Sequence, residues 1–467
     1  MKHFQSHRIA LPALARVLGL AALAACSSSD SDSSLFPPEG MAGGSGGAPP
    51  VAAAGSAGAP SNAGGTGGSS VGQGGAGVPV GNEGNVDPVG GLAGTGGTGD
   101  SGNSGGAGGA GGAVANAGAG GNAAGAGGSS EVPVDCDVIP PPSALIGWAA
   151  VAGSGLDTTS GGGDATPTLV TTLEELQDAV EGDDARVILV RGALEPGDIE
   201  IGSNKTLVGT CGAEIHGHVE IREAQNIIVR NLTIVGYGEG DCALDPDFDA
   251  AEGCSSGADA ISVQRNAHHV WFDHDSVRDG TDGNLDVSNG ANFVTISFTK
   301  FSYTPRTDLV GSDSTGASGH RYSNLVGGTD EPDDFDDANA LNVTWHHNWW
   351  ADNVVERQPR IRFGQNHLFN NYYNSLTTNY CVRAGIDANI LLEGNFFDGV
   401  DDPHEFNNED DQLTANITAD ATNIYDATTS DRATGGGGTP FTDPPYEYTL
   451  DDAAGIPALV QEQAGPR

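Results

Sequence analysis

Positive charge is scarce in this sequence. Its 467 residues hold 19 lysines and arginines against 62 aspartates and glutamates, which gives a formal net charge of −43 at pH 7. Such a chain repels polyanions, which excludes nucleic acid and anionic lipid surfaces as partners held by bulk charge. The few cations are nevertheless concentrated, because the stretch ERQPRIRFG at residues 356–364 has three arginines within six residues. This cluster indicates a site for an anionic ligand.

Residues 27–135 lack the apolar side chains that a core requires. They are almost entirely Gly, Ala, Ser, Asn and Val with scattered Pro, and such a tract buries too little apolar surface to offset its ordering entropy. We predict a flexible Gly/Ala/Ser-rich linker over residues 26–135. The remainder is long enough for one large domain or two small ones, and we assign residues 136–467 to one domain.

The N-terminal segment has no apolar run long enough to cross a membrane. Basic residues precede a short apolar run over residues 17–25, and Cys26 follows, which is typical of a cleaved signal. The sequence LAAC at residues 23–26 resembles the lipobox of bacterial lipoproteins, which predicts a signal peptide over residues 1–25 and a lipidated Cys26. An ordinary secretory signal is the alternative. Both predict export, and lipidation predicts a cell-surface lipoprotein of the bacterial outer membrane.

Cysteines are few, and five follow Cys26. Export permits disulfides, but an odd count leaves one cysteine unpaired. Cys242 with Cys254 would close a short acidic loop, and Cys136 with Cys211 would fix the entry of the domain. Cys381 lies in an apolar segment and is predicted to be a buried free thiol.

Short β-type segments repeat along the predicted domain. We align six of them on Asn231, His274, Phe298, His347, Asn371 and Gly394. The gaps between these positions are 43, 24, 49, 24 and 23 residues, so two gaps are close to twice the others. A period of about 23 residues, with an enlarged turn in each long gap, is typical of a parallel β-helix. We therefore predict an all-β solenoid in which Asn side chains at the bends bond along the axis.

An antiparallel sandwich or barrel is the alternative fold. Such folds show hairpin signals at about half the spacing observed here, so the repeat favours the β-helix. An open-ended coil exposes its core at both ends. We expect the irregular tail after Asn416 to cover the C-terminal end.

One amphipathic helix is predicted over residues 171–182, TTLEELQDAVEG. Either Thr171 with Glu174 or Thr172 with Glu175 forms its capping box, and a glycine follows its end. This helix is placed to cap the N-terminal end of the coil.

Three aspartates form a candidate metal site. Asp259 lies one coil before Asp282 and Asp286, whose even spacing puts both carboxylates on one face of an extended chain. Oxygen ligands without thiolate or imidazole suit Ca²⁺ better than zinc. A solvated acidic face is the alternative, but the flanking Ile261 and Leu285 indicate ordered strands.

Five arginines form a second group: Arg306, Arg357, Arg360, Arg362 and Arg383. Adjacent coils are about 4.8 Å apart, so these side chains could line one groove beside the aspartates. A single arginine is most often a surface residue or an ion-pair partner. A concentrated set suggests bidentate recognition of carboxylates.

Two long stretches carry a family resemblance. Residues 270–301, VWFDHDSVRDGTDGNLDVSNGANFVTISFTKF, and residues 345–374, WHHNWWADNVVERQPRIRFGQNHLFNNYYN, closely resemble the pectate lyase superfamily. The resemblance runs from about Leu169, through SNKTLVG at residues 203–209, to YTLDDAAGIPALV at residues 448–460. It implies a right-handed parallel β-helix.

The resemblance also implies a reaction, the cleavage of polygalacturonate by Ca²⁺-dependent β-elimination. Arg357, the first arginine of an R-x-P motif, matches the catalytic base that removes the C5 proton of the uronate. Asp259, Asp282 and Asp286 match calcium ligands. A free guanidinium is protonated at ordinary pH, so neighbouring cations and alkaline conditions would have to favour its neutral form.

The same resemblance assigns substrate binding to Arg362 and Arg383, and to Arg306 at a position where the family usually has a lysine. The second departure is Gly257, where many members carry another calcium-binding aspartate. Water or substrate would then fill one ligand position.

Two further motifs are interpreted as structural. Asp273 and His274 sit at the repeated bend, where polar groups are satisfied locally. The aromatics of WHHNWW at residues 345–350 are interpreted as core and stacking residues rather than a sugar platform.

Three alternative functions remain open. A pectin lyase acting on methyl-esterified polymer would lack the calcium carboxylates. A hydrolase would need two acids flanking the scissile bond. A surface polysaccharide-binding protein would bind polymer without releasing product. For the lyase we expect a monomer that contacts the membrane only through the lipid on Cys26.

Overall fold

The computed structural model describes residues 138–239, 241–251, 256–305, 320–331, 335–407, 414–430 and 432–467. The predicted signal peptide and linker, the domain boundary at residue 136 and Arg306 lie outside the described residues. No helix in the described ranges is long and apolar enough to span a membrane.

Strands in the described ranges wind into three parallel sheets, because each short apolar segment pairs with the equivalent segment one coil later. Sheet A consists of β1 (Thr168–Val170), β2 (Arg186–Ala193), the first part of β4 (Lys205–Arg222), β5 (Gln225–Arg230), β8 (His268–Asp273), β11 (Asn292–Ser297), β14 (Val343–His346), β17 (Gln365–Phe369), β20 (Asn389–Glu393) and β23 (Asn416–Ala419), with β25 (Gly435–Gly436) antiparallel at its edge.

Sheet B consists of β3 (Gly197–Glu200), the last part of β4, β7 (Ile261–Gln264), β10 (Leu285–Val287), β13 (Leu325–Val326), β16 (Arg360–Ile361), β19 (Val382–Ala384) and β22 (His404–Phe406). Sheet C consists of the middle of β4, β6 (Thr233–Val235), β9 (Ser276–Arg278), β12 (Lys300–Ser302), β15 (Trp349–Trp350), β18 (Tyr372–Tyr373), β21 (Phe396–Asp398) and β24 (Ile424–Asp426). The chain visits A, C and B in turn, so the predicted parallel β-helix is confirmed.

The core is a set of columns in which equivalent residues of successive coils stack. Trp350, Tyr373, Phe397 and Tyr425 stack with ring centroids 4.7, 4.4 and 5.2 Å apart. Trp345 is also fully buried. The interpretation of the WHHNWW aromatics as core residues is confirmed for Trp345 and Trp350, while Trp349 is only half-buried.

The bends between sheets A and C occur where the repeat placed them, with one correction. Asn231, His274, Phe298, His347 and Gly394 all have positive φ, between 48° and 61°. On the remaining coil the positive φ belongs to Asn370 and not to Asn371, so the alignment was wrong by one residue there.

The residue after each bend forms the axial ladder. Asn348 N donates to Asn371 Oδ1 at 2.9 Å, and Asn371 N donates to Asn395 Oδ1 at 3.0 Å. Asn395 N continues the ladder to Asn423 Oδ1 at 3.0 Å. Each amide thus satisfies a buried backbone N–H of the preceding coil, which confirms axial bonding by Asn.

Helix α1 (Leu173–Val180) caps the first coil as predicted. Its N-cap is Thr172, whose Oγ1 accepts from Glu175 N at 3.2 Å, while Glu175 Oε2 accepts from Thr171 N at 2.8 Å. The second capping option is therefore the correct one. Leu176 and Val180 are buried in the core cluster.

The C-terminal tail differs from the prediction. The chain after Asn416 continues the coil through β23 and β24. Residues 441–467 then pack Ile456 and Val460 on Tyr372 of sheet C and otherwise return along the outside of sheet A. There Asp451 Oδ2 lies 3.0 Å from His347 Nε2, and Arg467 contacts Asn231 and His274. This segment includes a helix that was not predicted, α2 (Ile456–Gln463). The tail covers a face of the coil and not only its end, because its aromatic and polar side chains contact residues of several successive strands.

The N-terminal segment covers the same face. Ser143 Oγ donates to Asp273 Oδ1 at 2.6 Å, and Trp148 N donates to Thr344 Oγ1 at 3.0 Å. His274 stacks on Phe298 with centroids 4.6 Å apart. These contacts support the interpretation of Asp273 and His274 as structural residues.

Two of the cysteine predictions can be compared with the structure. Cys381 is a buried free thiol, as predicted. Cys242 is disulfide-bonded, while Cys136, Cys254 and the side chain of Cys211 lie outside the described residues. The predicted pairings therefore stay predictions.

Candidate active site

Several of the predicted site residues lie on the outer face of sheet B. The inner column of this sheet consists of the buried residues Val287, Val326, Ile361 and Ala384. Since side chains alternate across a strand, Asp286, Arg360 and Arg383 point away from the core. Arg360 and Arg383 are register partners on adjacent strands.

Asp259 and Asp286 face one small space beside Gly283. A Cβ added to Gly283 would lie 2.8 Å from Asp259 Oδ1 and 3.1 Å from Asp286 Oδ1. Ser262 Oγ donates to Asp259 Oδ2 at 2.9 Å, and Leu325 N donates to Asp286 Oδ1 at 2.9 Å. Asp259 Oδ1 is buried without a hydrogen-bond partner. The absence of a side chain at residue 283 leaves room for a ligand between the two carboxylates.

The electrostatics of these carboxylates are unfavourable by themselves. Burial, reinforced by Asp286 and Asp282, raises the pKa of Asp259 well above its usual value. Burial and Asp282 raise the pKa of Asp286 to about 7, although Arg357 and Arg362 oppose the rise. Like charges in a desolvated site favour protonation or a bound cation. A cation bound between Asp259 and Asp286 would therefore stabilise the charged form of both carboxylates.

Asp282 is held differently from the other two aspartates. Its Oδ1 lies 2.9 Å from His320 Nε2, but the contact is not aligned as a hydrogen bond, so both atoms are buried without a hydrogen-bond partner. Across the described ranges, no group of three or more His, Cys, Asp and Glu side chains has the geometry of a metal-binding cluster. The carboxylates are near enough to interact electrostatically, but they do not form a preassembled cage.

Arg357 is buried next to the aspartates. Its side chain is about 4% exposed, its φ is 58°, and its guanidinium lies over the ring of Tyr322 with 4.6 Å to the centroid. Arg357 opposes the pKa rise of both Asp259 and Asp286, which places its charge within reach of the pair. The left-handed backbone turns this side chain out of the strand direction and towards the site.

Arg362 and Arg383 are each engaged by an acidic side chain. Arg362 Nε donates to Asp330 Oδ1 at 2.7 Å, and Arg383 Nε donates to Glu405 Oε1 at 2.5 Å. Arg383 also lies over the ring of Tyr380, 3.6 Å from its centroid. The structure thus brings the predicted arginines to one face. Arg306 lies outside the described residues.

Residues near the site that sequence reasoning missed are His320, Tyr322, Asp330, Tyr380 and Glu405. Their positions follow from enlarged turns and strand register; for example, the segment of Tyr322 pairs with that of Glu356 through an isolated parallel bridge. No periodic pattern marks them in the sequence.

The fold and site together define a class: parallel β-helix proteins with aspartates and arginines gathered on the outer face of one sheet. The family described as pectate lyase matches residues 107–319 and 314–465 of this chain. The chain belongs to the pectate lyase family.

Individual relatives agree with this assignment. Pectate lyase A of Aspergillus niger is 31% identical over 336 residues, which cover 69% of this chain and 87% of that protein. A pectate trisaccharide-lyase of Thermotoga maritima is 33% identical over 251 residues, 53% of this chain and 60% of that protein. The match therefore spans less than two thirds of the Thermotoga protein.

Solved structures share the fold. A pectate lyase of Bacillus sp. N165, solved in complex with trigalacturonate, gives a TM-score of 0.53 at 22% identity and covers 69% of this chain and 98% of its own. The pectate lyase pelN of Paenibacillus sp. 0602 gives 0.54 at 18% identity, covering 69% and 95%. At these identities the likeness concerns the fold alone.

Proposed function

We propose that this protein is a pectate lyase that cleaves polygalacturonate by calcium-dependent β-elimination, with Arg357 as the base. The observation that carries the proposal is the burial of Arg357 beside Asp259 and Asp286, two carboxylates whose pKa values are raised. Family membership supports the same reaction.

Asp259 and Asp286 would hold calcium in the space beside Gly283. Asp282, which directly precedes Gly283, would supply a third carboxylate. The unpartnered Oδ1 of Asp259 fits a hard cation, and the raised pKa values of Asp259 and Asp286 indicate that nearby cations do not fully compensate the charge of these two carboxylates. When bound, calcium would neutralise the charge of the substrate carboxylate next to C5 of the uronate, which would make the C5 proton more acidic.

Arg357 is the group placed to take that proton. Its carboxylate neighbours stabilise the protonated guanidinium, so their neutralisation is a condition for the base role. Burial acts in the opposite direction, because removing water from the Arg357 guanidinium disfavours its charged form. Tyr322 lies beneath the guanidinium and limits its rotation, so the side chain is held ready for a substrate.

The arginines explain how an acidic protein binds an acidic polymer. Arg360 and Arg383 lie on adjacent strands in register, and Arg362 follows two residues after Arg360. Guanidinium groups in such a row match carboxylates that repeat along a uronate chain. Local positive charge thus opposes the overall negative field.

An assay on polygalacturonate at alkaline pH tests the proposal. Unsaturated product absorbs in the ultraviolet, and we expect it to form with added calcium and to disappear with a chelator. Formation of reducing ends without ultraviolet absorbance would indicate a hydrolase, and binding without product would indicate a polysaccharide-binding protein. Activity on methyl-esterified pectin that resists the chelator would indicate a pectin lyase.

The proposed location is the outer surface of a bacterial cell. Lipidation of Cys26 and a linker over residues 26–135 would hold a monomeric enzyme away from the membrane. Labelling with a radioactive fatty acid tests this, since Cys26→Ser should abolish incorporation.

A further inference from the structure

Arg362 is buried and forms an ion pair with Asp330, which lies in a turn. Its side chain is about 2% exposed, its Nε donates to Asp330 Oδ1 at 2.7 Å and its Nη1 donates to Gly327 O at 2.8 Å. Arg362 also opposes the pKa rise of Asp286, so its charge faces the site. The Nε edge of this guanidinium is therefore occupied by the type of group that a uronate would bring.

The two acids that engage the substrate arginines are held differently. Glu405 belongs to strand β22, is in register with Arg383 and has a side chain about 16% exposed. Asp330 belongs to the turn after β13, and its side chain is about 53% exposed. The backbone of Glu405 is fixed in the sheet and its side chain is mostly covered, whereas Asp330 lies in a turn with its side chain half-exposed, so its carboxylate is displaced with less disturbance. Asp330 is thus the exchangeable partner of the two.

We propose that Asp330 competes with a substrate carboxylate for Arg362 and so weakens the binding of ionised uronate polymer. This inference rests on the proposed function. Exchange replaces one charge-assisted hydrogen bond by another of the same type, which an ionised carboxylate can do and a methyl ester cannot do equally well. Asp330 therefore adjusts affinity for the ionised polymer and leaves the chemistry at Arg357 unchanged.

The test compares Asp330→Asn with Glu331→Gln on polygalacturonate. Glu331 is the exposed neighbour and carries the same charge, so its variant controls for general repulsion of the polymer. We expect Asp330→Asn to lower KM about three- to tenfold, the range for a half-exposed ion pair with one buried partner. We expect kcat to stay within about twofold, and KM for highly methyl-esterified pectin to stay the same.

Three results would overturn the inference. An increased or unchanged KM for Asp330→Asn would mean that Asp330 positions Arg362 or is irrelevant to binding. An equal decrease for Glu331→Gln would mean that only overall charge matters. A decrease of similar size on esterified pectin would contradict competition between carboxylates.

Folding and the proposed function are controlled separately. Thermal unfolding of Asp330→Asn should stay cooperative, with stability lowered only by the loss of one half-exposed ion pair, and Asp330→Ser is a second variant without the carboxylate should the first fail to fold. Calorimetric binding of trigalacturonate to the calcium-treated protein gives a readout independent of turnover. If wild-type protein yields no unsaturated product, the proposed function fails, whereas tighter trigalacturonate binding by Asp330→Asn would still support competition.

Discussion

The outer faces of sheets A and B belong to the same coils but have opposite characters. On sheet A, the segments at residues 143–148 and 441–451 cover the strands, and Tyr446 Oη lies 2.7 Å from Thr344 Oγ1 and 3.0 Å from His367 Nδ1. On sheet B, Asp286 and Arg357 are near enough to interact electrostatically, and the pKa of Asp286 is raised to about 7. On the first face the covering segments supply hydrogen-bond partners such as Tyr446, and on the second face Asp259 Oδ1 is buried without one.

Burial acts on both faces, with different consequences. It lowers the pKa of His346 well below 6.5 and also lowers that of His367, and a neutral imidazole is compatible with a covered face. It raises the pKa of Asp259 and Asp286, and a buried carboxylate needs a cation to keep its charge. This difference indicates that residues on the face of sheet A contribute mainly to stability and those on the face of sheet B mainly to function. Mutations on the two faces can test this separation.

The largest expected effect is at Arg357. Arg357→Lys should reduce kcat on polygalacturonate about a thousandfold, within the range for removing a positioned base, because lysine keeps the charge but changes the reach and hydrogen-bonding geometry. Ultraviolet absorbance of the product measures the rate. The matched control is Tyr446→Phe on sheet A, which should leave kcat unchanged. Undiminished turnover by Arg357→Lys would remove this residue from the mechanism.

The second effect concerns calcium binding. Asp286→Asn should weaken calcium affinity at least about tenfold, since it removes a charged oxygen ligand from the space beside Gly283. In the metal-free protein the same change should increase the free energy of unfolding, because it relieves repulsion between buried carboxylates. Calorimetric titration with calcium and urea unfolding measure the two quantities. Unaltered calcium affinity would place the metal elsewhere.

A smaller effect is expected on the covered face. Tyr446→Phe loses the hydroxyl shared by Thr344 and His367, and should reduce the free energy of unfolding by about 1–2 kcal/mol. KM and kcat should stay at wild-type values. A loss of activity without a loss of stability would contradict the separation of the two faces.

The smallest effect is a pH dependence. The folded pKa of His346 is depressed below the unfolded value of about 6.5, so the unfolded state takes up a proton first as pH falls. Stability is therefore lost on acidification from about pH 6.5 downward. His346→Phe should show a shallower loss than wild type in urea unfolding at matched pH and calcium concentration. Parallel curves would show that His346 does not contribute.

The sequence predicted the fold well because the β-helix is a local repeat. Bends with positive φ occur at five of the six aligned positions, and Thr172 caps α1. The alignment slipped by one residue at Asn371 because Asn370 and Asn371 are chemically identical, and only the backbone distinguishes the bend from the ladder. Helix α2 was missed because its apolar residues Ile456 and Val460 pack on Tyr372, a contact that no local period records.

The site was predicted in part. Asp286, Arg360 and Arg383 follow from strand alternation, which the sequence contains. The ion pair of Asp330 with Arg362 and the approach of His320 to Asp282 do not, since they depend on how enlarged turns fold back on the coil.

Sequence alone determined the period of the coil, the capping helix and the concentration of arginines near aspartates. Each of these features depends on residues that are close in the chain or one coil apart. Tertiary structure decided which outer face the segments around Ser143 and Tyr446 cover. Contacts such as Ser143 with Asp273 and Asp451 with His347 join residues more than a hundred positions apart. Their formation depends on the docking of the segments that flank the coil on either side in sequence, a cooperative packing event that no repeat encodes.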